Sequence, residues 1–402
     1  MSDIVVIGAG QAGSALVAKL RNLGFQGRIT LIGEEAVPPY QRPPLSKKYL
    51  LGEMPLERLF LRPESFYADN AIELELGRAA VTIDRAARTV FAGDRELSYD
   101  QLALTTGAAP RRLPGAIGGA LNGVHTVRTL GDVDAMAPDF VAGRRVLIVG
   151  GGYIGLEAAA VAATRGLKVT LVEMADRILQ RVAAAQTSDY FRALHKRHGV
   201  DLREGVGLKR LTGDGRVSGA ELDDGTRLEL DFVIVGVGIA PATGLAEAAG
   251  LAIDNGIAVD EMGRTSDPSI WAAGDCASFP RNGARIRLES VQNAIDQAEN
   301  VAENMMGAER PYDPQPWFWS DQYDIHLQIA GLNSGHDRVH VRPGENGAQS
   351  HWYYAGDRLL AVDAMNDPRA YMIGKRLLAA GRSPSPEIVT DPATDLKALL
   401  KA

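Results

Sequence analysis

The chain has 402 residues, of which 46% are hydrophobic and 23% charged, a balance typical of a globular protein with more than one domain. Its formal net charge of −7 argues against a protein that binds nucleic acid along its whole length. The single cysteine excludes a disulfide framework, disfavours a cysteine-rich zinc site and fits a reducing compartment.

The first residues, "MSDIVVIGAG", read as a buried strand that runs into a glycine turn, without the charged and apolar pattern of a signal peptide. No apolar run approaches the roughly 18 residues that cross a bilayer. We therefore expect a cytoplasmic protein that does not enter a membrane.

Two segments of the sequence share the same pattern of residues. "IVVIGAGQAGSALVAKLRNLGFQGRITLIGEE" (4–35) and "VLIVGGGYIGLEAAAVAATRGLKVTLVEM" (146–174) each read as a strand, Gly-x-Gly-x-x-Gly, a helix, a second strand and an acid. The glycines allow a tight turn and close approach of a pyrophosphate to the helix N-terminus, and the acid accepts from ribose hydroxyls. The repeat predicts two dinucleotide sites, with these glycines and acids: Gly8, Gly10, Gly13 and Glu34; Gly150, Gly152, Gly155 and Glu173.

After the first repeat comes "PPYQRPPLSK" (38–47), which has four prolines in ten residues. Proline fixes φ and removes a backbone donor, so this stretch is predicted to be stiff and to form neither an ordinary helix nor a central strand. It presents two cations, Arg42 and Lys47. Further on, "LALTTGAAPR" (102–111) predicts another apolar strand that ends at a Thr-Thr-Gly turn.

The second repeat favours one nicotinamide dinucleotide over the other. Glu173 lies where a 2′-phosphate would sit, so repulsion should favour NAD(H) over NADP(H). Arg177 could soften that preference and Arg181 could contact the NAD phosphates, although both could equally be solvated helix surface.

His195 and His198 have no evident carboxylate partner, so we interpret them as cations at a solvated helix C-terminus and expect no metal site.

Later segments predict the remaining elements. "GRTSDPSIWAAGDCA" (263–277) reads as a turn, a strand and Asp275, whose carboxylate can accept from a sugar-alcohol hydroxyl. Residues 289–306 have a helical pattern. "RPYDPQPWFW" (310–319), with three prolines, reads as a linker, which places Trp317 and Trp319 outside a core strand. Alternating strand-like runs and an amphipathic helix follow.

The order of "GAGQAG", "TTGAAPR", "GGGYIG", "VGVGIAP" and "WAAGD" resembles the flavoprotein family with two dinucleotide domains that includes glutathione reductase. "PPYQRPPLSK" and "PWFWSDQYD" are similar to the putidaredoxin reductase-like ferredoxin reductases of bacterial cytochrome P450 and Rieske oxygenase systems. Apoptosis-inducing factor is a more distant relative. The resemblance implies an α/β fold: two Rossmann-like domains, FAD-binding (1–112 and 241–312) and NAD(H)-binding (113–240), plus a small α+β C-terminal domain (313–402).

The resemblance also implies site residues. Those for FAD are Gly8, Gly10, Ala12, Gly13, Glu34, Arg42, Lys47, Ala80, Arg128, Asp275, Val291 and Trp319. Those for NAD(H) are Gly150, Gly152, Tyr153, Ile154, Gly155, Glu157, Glu173, Arg181 and Gly238. Three have implied catalytic roles: Lys47 near the flavin N5, Tyr153 as a gate for the nicotinamide ring and Glu157 at the carboxamide. The N-terminus of the 289–306 helix would stabilise the anionic reduced flavin by about 1 kcal/mol.

Members of this family differ in the electron acceptor that they reduce. Disulfide reductases of the family keep a Cys-x₄-Cys pair where this chain has prolines, Arg42 and Lys47. Cys276 is expected to be a small buried residue, so thiol chemistry is excluded. A flavin can take up a hydride and release single electrons, which suits a protein carrier, and an acidic [2Fe-2S] ferredoxin needs a local basic, partly apolar docking surface. The candidate docking residues are Arg58, Arg62, Arg310, Lys375 and Arg376.

These features predict an FAD-dependent NADH:ferredoxin oxidoreductase that supplies a cytochrome P450 or Rieske oxygenase. The alternatives are an NADH oxidase, a partner of rubredoxin or nitrite reductase, and a redox-sensing binding protein like apoptosis-inducing factor. Both a monomer and a homodimer remain open, and no nucleic-acid partner is expected.

Overall fold

The computed structural model describes residues 3–401, so the outer ends of the predicted domains, at residues 1 and 402, lie outside the described range. The helices are α1 (Gln11–Asn22), α2 (Glu64–Asp69), α3 (Leu130–Met136), α4 (Tyr153–Thr164), α5 (Ala185–Arg197), α6 (Gly244–Ala248), α7 (Val291–Met305), α8 (Pro368–Ala379) and α9 (Pro386–Thr390). The strands are β1 (Asp3–Ile7), β2 (Arg28–Gly33), β3 (Ile72–Leu76), β4 (Ala80–Asp84), β5 (Thr89–Ala92), β6 (Arg95–Ser98), β7 (Gln101–Leu104), β8 (Ala108–Pro110), β9 (Val124–His125), β10 (Arg145–Val149), β11 (Lys168–Glu173), β12 (Asp201–Glu204), β13 (Leu208–Asp214), β14 (Arg216–Leu222), β15 (Arg227–Glu229), β16 (Phe232–Val235), β17 (Ile239–Pro241), β18 (Ile257–Ala258), β19 (Ile270–Ala272), β20 (Ala277–Arg281), β21 (Ala284–Ile286), β22 (Trp317–Gln322), β23 (Ile325–Gly331), β24 (Arg338–Pro343), β25 (Gln349–Ala355) and β26 (Arg358–Met365).

The chain divides into two compact units. The first unit consists of Gly52–Ala109, Ile239–Pro314 and the described part of Met1–Pro44. Its centre is a parallel sheet in the order β19-β7-β1-β2-β3. Both faces of this sheet are covered, which is why β1 and β2 are nearly continuous apolar runs. Helices α1 and α7 pack together on one face, and the antiparallel β4-β5-β6 sheet contributes to the core on the other.

The second unit consists of Leu45–Leu51, Pro110–Gly238 and the described part of Gln315–Ala402. It contains another parallel sheet, in the order β12-β11-β10-β16-β9. The alanine-rich helix α4 is largely buried. A small antiparallel sheet, β13-β14-β15, shares a hydrophobic core with β10 and β16.

The C-terminal part of the second unit is an antiparallel sheet in the order β22-β23-β26-β25-β24. Helix α8 packs on it, and Trp352 is fully buried in that core. The predicted fold class is confirmed, with two parallel dinucleotide-type sheets and a small α+β region. The division into domains at residues 112/113, 240/241 and 312/313 stays a prediction.

Two local interpretations of the sequence are wrong. Trp317 and Trp319 belong to β22, because aromatic residues suit a strand and this one pairs with β23 directly after Pro316. His195 is fully buried, and its Nε2 lies 2.8 Å from the Oε1 atom of Gln322. Burial lowers the pKa of His195 to about 4, so this ring is neutral at pH 7 and is not a surface cation.

Candidate functional sites in the two units

Each predicted dinucleotide site begins at a glycine turn between a buried strand and a helix. A Cβ atom added to Gly13 would lie 2.1 Å from the carbonyl oxygen of Gly8. The second turn repeats this packing, because a Cβ on Gly155 would lie 2.0 Å from the carbonyl oxygen of Gly150. These positions therefore need glycine for the helix to start so close to the strand.

The middle glycines leave open space at both helix starts. A Cβ on Gly10 or Gly152 would meet no atom within 4 Å. Both residues are helix N-caps, and within residues 3–401 no side chain caps the first turn of α1 or α4. The first amides of each helix can therefore donate hydrogen bonds to a pyrophosphate, and the two turns fit the FAD and NAD(H) that the fold family uses.

A second part of the predicted FAD site lies beside the first helix. A Cβ on Gly274 would be 3.1 Å from the Cβ of Ala12 and 3.8 Å from that of Ala294, so the turn before Asp275 packs against α1 and α7. Val291 is the first residue of α7. Within the first unit, the fold thus gathers the glycine turn, the Asp275 turn and the start of α7.

The two acids after β2 have different surroundings. Glu34 is exposed. Its neighbour Glu35 accepts hydrogen bonds from the Tyr40 hydroxyl, at 2.6 Å, and from Nη2 of Arg42, at 2.9 Å. Glu35 and Tyr40 are not among the predicted site residues, and the doublet of acids after the strand is the signal in the sequence that points to this pair. The role of Glu34 as ribose acceptor stays a prediction.

In the second unit, Glu173 is held against the glycine turn. Its Oε2 atom accepts from the amide of Gly151 at 2.6 Å. This contact fixes a carboxylate next to the turn, as the preference for NAD(H) requires. Arg181 is exposed, and its Nη1 atom lies 3.8 Å from where a Cβ on Gly238 would be, so these two predicted NAD residues are neighbours.

Lys47 and Glu157 meet in a charge cluster of the second unit. Lys47 lies at a kink in the short helical segment Leu45–Tyr49, where its own φ of −123° and ψ of −109° are not helical. Its Nζ atom is 3.1 Å from Oε1 of Glu157 on α4 and 3.5 Å from Oδ2 of Asp321 on β22. The Ser320 hydroxyl donates to the same Glu157 oxygen at 2.7 Å. The lysine and the glutamate are predicted site residues, whereas the two residues from β22 are not.

Opposing effects act on the Glu157 carboxyl. Burial raises its pKa, and the Lys47 charge and the Ser320 hydroxyl lower it and leave a net upward shift. The negative charge of Glu157 is therefore balanced mainly by the ammonium group of Lys47. Removal of that lysine leaves a buried charge without its nearest cation.

Tyr153 is the first residue of α4, and its ring packs against Phe318 with centroids 5.0 Å apart. Its buried hydroxyl has no hydrogen-bond partner among residues 3–401, and burial raises its pKa. A gating role would require the ring to leave Phe318. The next residue, Ile154, is 47% exposed.

The remaining predicted FAD residues are spread over both units. Ala80 begins β4 in the first unit. Arg128 and Trp319 belong to the second unit, where the Arg128 amide donates to Asp132 in the capping box of α3 and Trp319 lies on β22. Their contacts with FAD stay predictions.

The described residues contain neither a membrane-spanning helix nor a group of metal ligands. Between residues 3 and 401, no helix is long and apolar enough to cross a membrane. In the same range, no three His, Cys, Asp or Glu side chains are grouped as metal ligands.

The chain matches two family models. The model described as pyridine nucleotide-disulphide oxidoreductase matches residues 2–298, and the one described as reductase C-terminal matches residues 317–400.

Similar proteins span nearly the whole chain. A ferredoxin–NAD(P)(+) reductase from a Sphingomonas species is 45% identical over 402 residues, which are 98% of this chain and 97% of the relative. Rhodocoxin reductase from Rhodococcus erythropolis is 43% identical over 400 residues, or 98% and 93% of the two chains. A chain in the crystal structure of the covalent putidaredoxin reductase–putidaredoxin complex matches with a TM-score of 0.96 and 40% identity, covering 100% of this chain and 98% of that one.

We predict opposite outcomes for alanine at two glycines of the first turn. Gly13→Ala should prevent normal folding, because its Cβ would clash with the carbonyl of Gly8. Gly10→Ala should fold, because its Cβ meets no protein atom, but should retain FAD about tenfold more weakly because the methyl occupies the space proposed for phosphate. Soluble yield and flavin absorbance per chain measure both effects. A Gly10→Ala protein with unchanged FAD affinity would contradict the placement of the pyrophosphate.

We also predict a pH-dependent loss of stability in Lys47→Met. Without Lys47 the pKa of Glu157 rises further, so the folded variant binds a proton that the unfolded chain does not, and its stability falls as pH rises. The cost should be about 1–3 kcal/mol at pH 8, allowing for partial exposure of Lys47, and smaller at pH 5. The test is the free energy of unfolding in denaturant at both pH values, with Lys48→Met, a change at the exposed neighbouring lysine, as the control. Equal losses at both pH values would contradict it.

Proposed function

The chain belongs to the pyridine nucleotide-disulphide oxidoreductase family, and on that premise we propose that it is an FAD-dependent NADH:ferredoxin oxidoreductase. Bound FAD supplies the ability to accept a hydride from NADH and to release the electrons singly. The acceptor in this proposal is a [2Fe-2S] ferredoxin that supplies a cytochrome P450 or Rieske oxygenase in the cytoplasm. The first unit holds FAD through its glycine turn, and the second holds NAD(H).

The charge pair of Lys47 and Glu157 carries this proposal. It places an ammonium group in the stretch where thiol-using relatives keep their cysteines, and fixes it on the helix that starts at the second glycine turn. In our proposal Lys47 donates to the reacting edge of the flavin. Glu157 holds the ammonium in place and accepts from the nicotinamide carboxamide. Ser320 keeps the glutamate oriented.

The single cysteine supports a route without thiol chemistry. Cys276 is fully buried, and its Sγ lies 3.5 Å from the carbonyl oxygen of Leu104 and 3.4 Å from that of Ala273. Burial raises the pKa of the Cys276 thiol, so a reactive thiolate is disfavoured. This environment suits a packing role and favours an acceptor outside the chain.

A basic and partly apolar surface in the second unit fits an acidic ferredoxin. We define it as the Lys375 patch: Trp317, Met372, Lys375 and Arg376. The Lys375 ammonium lies 4.7 Å from the ring centre of Trp317, Arg376 is exposed, and Met372 is 45% exposed. Such a patch combines a cation, which steers an acidic partner, with the apolar contact that retains it.

The other predicted docking cations belong to the first unit, and two of the three have local partners. Nη1 of Arg310 is 3.1 Å from Oε2 of Glu303. The guanidinium of Arg62 lies over the ring of Phe66 at 4.9 Å. Arg58 is exposed. We therefore favour the Lys375 patch, which combines exposed charge with exposed apolar surface.

The proposed function is tested by reoxidation of the reduced protein. NADH should bleach the flavin rapidly, and an acidic [2Fe-2S] ferredoxin should then reoxidise it one electron at a time and become reduced in proportion. NADPH should react more slowly, because Glu173 lies where its extra phosphate would sit. Reoxidation by oxygen alone at the full turnover rate, with no effect of ferredoxin, would contradict the proposal and favour an NADH oxidase.

Charge reversal tests the docking surface. The double change Lys375→Glu and Arg376→Glu should raise the KM for ferredoxin about tenfold at low ionic strength and much less at high salt. Reduction of a small dye by NADH should not change. The matched control is Lys209→Glu with Arg210→Glu, a lysine–arginine pair of the same unit in which both side chains are exposed. An equal effect in both double variants would show that only net charge matters and that the Lys375 patch is not the dock.

A further inference from the structure

A buried polar cluster in the second unit joins the C-terminal sheet to α5. Oδ2 of Asp363 accepts from the Thr187 hydroxyl at 2.8 Å and from the Tyr353 hydroxyl. The same Thr187 oxygen lies 2.7 Å from Nδ1 of His351. All four side chains are fully buried. We call these four residues the Asp363 cluster.

The cluster holds one end of a segment that borders the second glycine turn. The Tyr353 hydroxyl accepts from the amide of Ala184, the N-cap residue of α5. Residues 174–184 connect β11 to α5. Within this segment Leu179 has a φ of 56° and donates its amide to the carbonyl of Gly151 at 2.9 Å. The Asp363 cluster and the glycine turn therefore fix the same short segment at two points.

This segment carries two of the cations that the sequence analysis considered for the dinucleotide. Arg181 lies beside Gly238. Nη1 of Arg177 donates to the hydroxyl of Ser188 at 2.6 Å, one residue after Thr187. The start of α5 is therefore bonded to the segment that carries Arg181, a predicted NAD(H) residue.

The Asp363 cluster has two complete proton arrangements. With Asp363 ionised, Thr187 donates to it and His351 Nδ1–H donates to Thr187. With Asp363 protonated, it donates to Thr187, which donates to His351 Nδ1, while Nε2–H of the imidazole donates to Oε1 of Gln349 at 3.2 Å. The two arrangements differ by one proton, by the imidazole tautomer and by the orientation of the Gln349 amide, whose NH₂ group must face Nε2 when Asp363 is ionised. His351 and Gln349 line a groove of about 660 Å³, through which solvent protons can enter.

The surroundings bring the two arrangements close in free energy. Burial raises the pKa of Asp363 to about 6, and among residues 3–401 its Oδ1 atom has no hydrogen-bond partner, which disfavours the charge. Burial lowers the pKa of His351 to about 4, so that ring stays neutral in both arrangements. The titratable and polar groups that face Asp363 come from every neighbouring element: Tyr353 and His351 from β25, Thr187 from α5, Tyr153 from α4 and the exposed His336 before β24.

We propose that Asp363 is a positioning residue for the NAD(H) site, whose ionised carboxylate holds residues 174–184 in the binding arrangement, so that uptake of a proton weakens dinucleotide binding. This inference rests on the proposed function, which assigns NAD(H) to the second unit. Hydrogen bonds to an ionised acceptor are the stronger ones, and a negative charge near the first turn of α5 is favourable to its dipole. Linkage requires that dinucleotide binding in turn favours the ionised form.

The test is calorimetric titration of NAD⁺ into the oxidised, FAD-loaded protein between pH 8 and pH 5. If binding shifts the Asp363 titration by about one pH unit, the wild-type Kd should rise about tenfold across this range. Asp363→Asn should bind weakly at pH 8 and show no such rise. Asp139→Asn is the control, because Asp139 is a buried carboxylate of the same unit whose pKa is kept low by Arg216 and His125 despite burial. It should retain the wild-type pH profile.

Each outcome decides the inference. A pH-independent wild-type Kd, or a wild-type profile in Asp363→Asn, overturns it. If Asp363→Asn does not fold, Thr187→Val replaces it, since this variant keeps the carboxylate but removes its direct hydrogen bond to α5 and leaves only the path through Tyr353 and Ala184, and it should bind NAD⁺ weakly at pH 8 with a flattened profile. Tight binding and an unchanged profile in Thr187→Val would likewise overturn the inference. If no variant and no wild-type sample binds NAD⁺ at any pH, the proposed function fails as well.

Discussion

The contact on which the candidate chemistry of the second unit depends is a lysine ammonium held 3.1 Å from a buried glutamate. Lys47 comes from the turn after a proline-rich stretch, Glu157 from the helix behind the second glycine turn, and their partners Ser320 and Asp321 from β22. A carboxylate buried this deeply needs a cation and a hydrogen-bond donor, because an unpaired charge in the interior is costly. Meeting that need fixes three distant segments around one another, and it holds the Lys47 ammonium against α4.

Both units contain the same type of glycine turn, but different residues pack against it, and the reason is steric. In the second unit Gly151 leaves room for Glu173, the last residue of its strand; a Cβ on Gly151 would lie 3.2 Å from the Cβ of Glu173. In the first unit the roles are exchanged: Ala9 has the methyl group, and a Cβ on Gly33, at the end of β2, would lie 2.6 Å from it. The first acid is therefore displaced beyond the strand. This exchange explains why the acid of the second unit is the last residue of its strand, whereas Glu34 and Glu35 follow theirs.

Features set by local rules could be predicted from the sequence, and those set by distant pairing could not. The glycine turns, the parallel strands and the helix from Val291 follow from periodicity and steric limits within a short window, and the burial of Cys276 follows from its place beside a strand. His195 was misread because its partner Gln322 is 127 residues away. Ser320 is 163 residues from Glu157, and Asp363 is 176 from Thr187. No window of sequence contains both members of such pairs, and a resemblance transfers only the residues that its motifs include.

The central claim is that Lys47 and Glu157 act as one unit in the reaction with NADH. A double-mutant cycle measures this directly, with the rate of flavin bleaching by NADH followed in rapid mixing for the wild type, Lys47→Met, Glu157→Gln and the double variant. Residues in contact within one charge network typically show interaction energies of about 0.5–3 kcal/mol. We expect the double variant to be little slower than the slower single variant, which corresponds to a coupling of at least about 1 kcal/mol. Rate losses that simply multiply in the double variant would contradict the account.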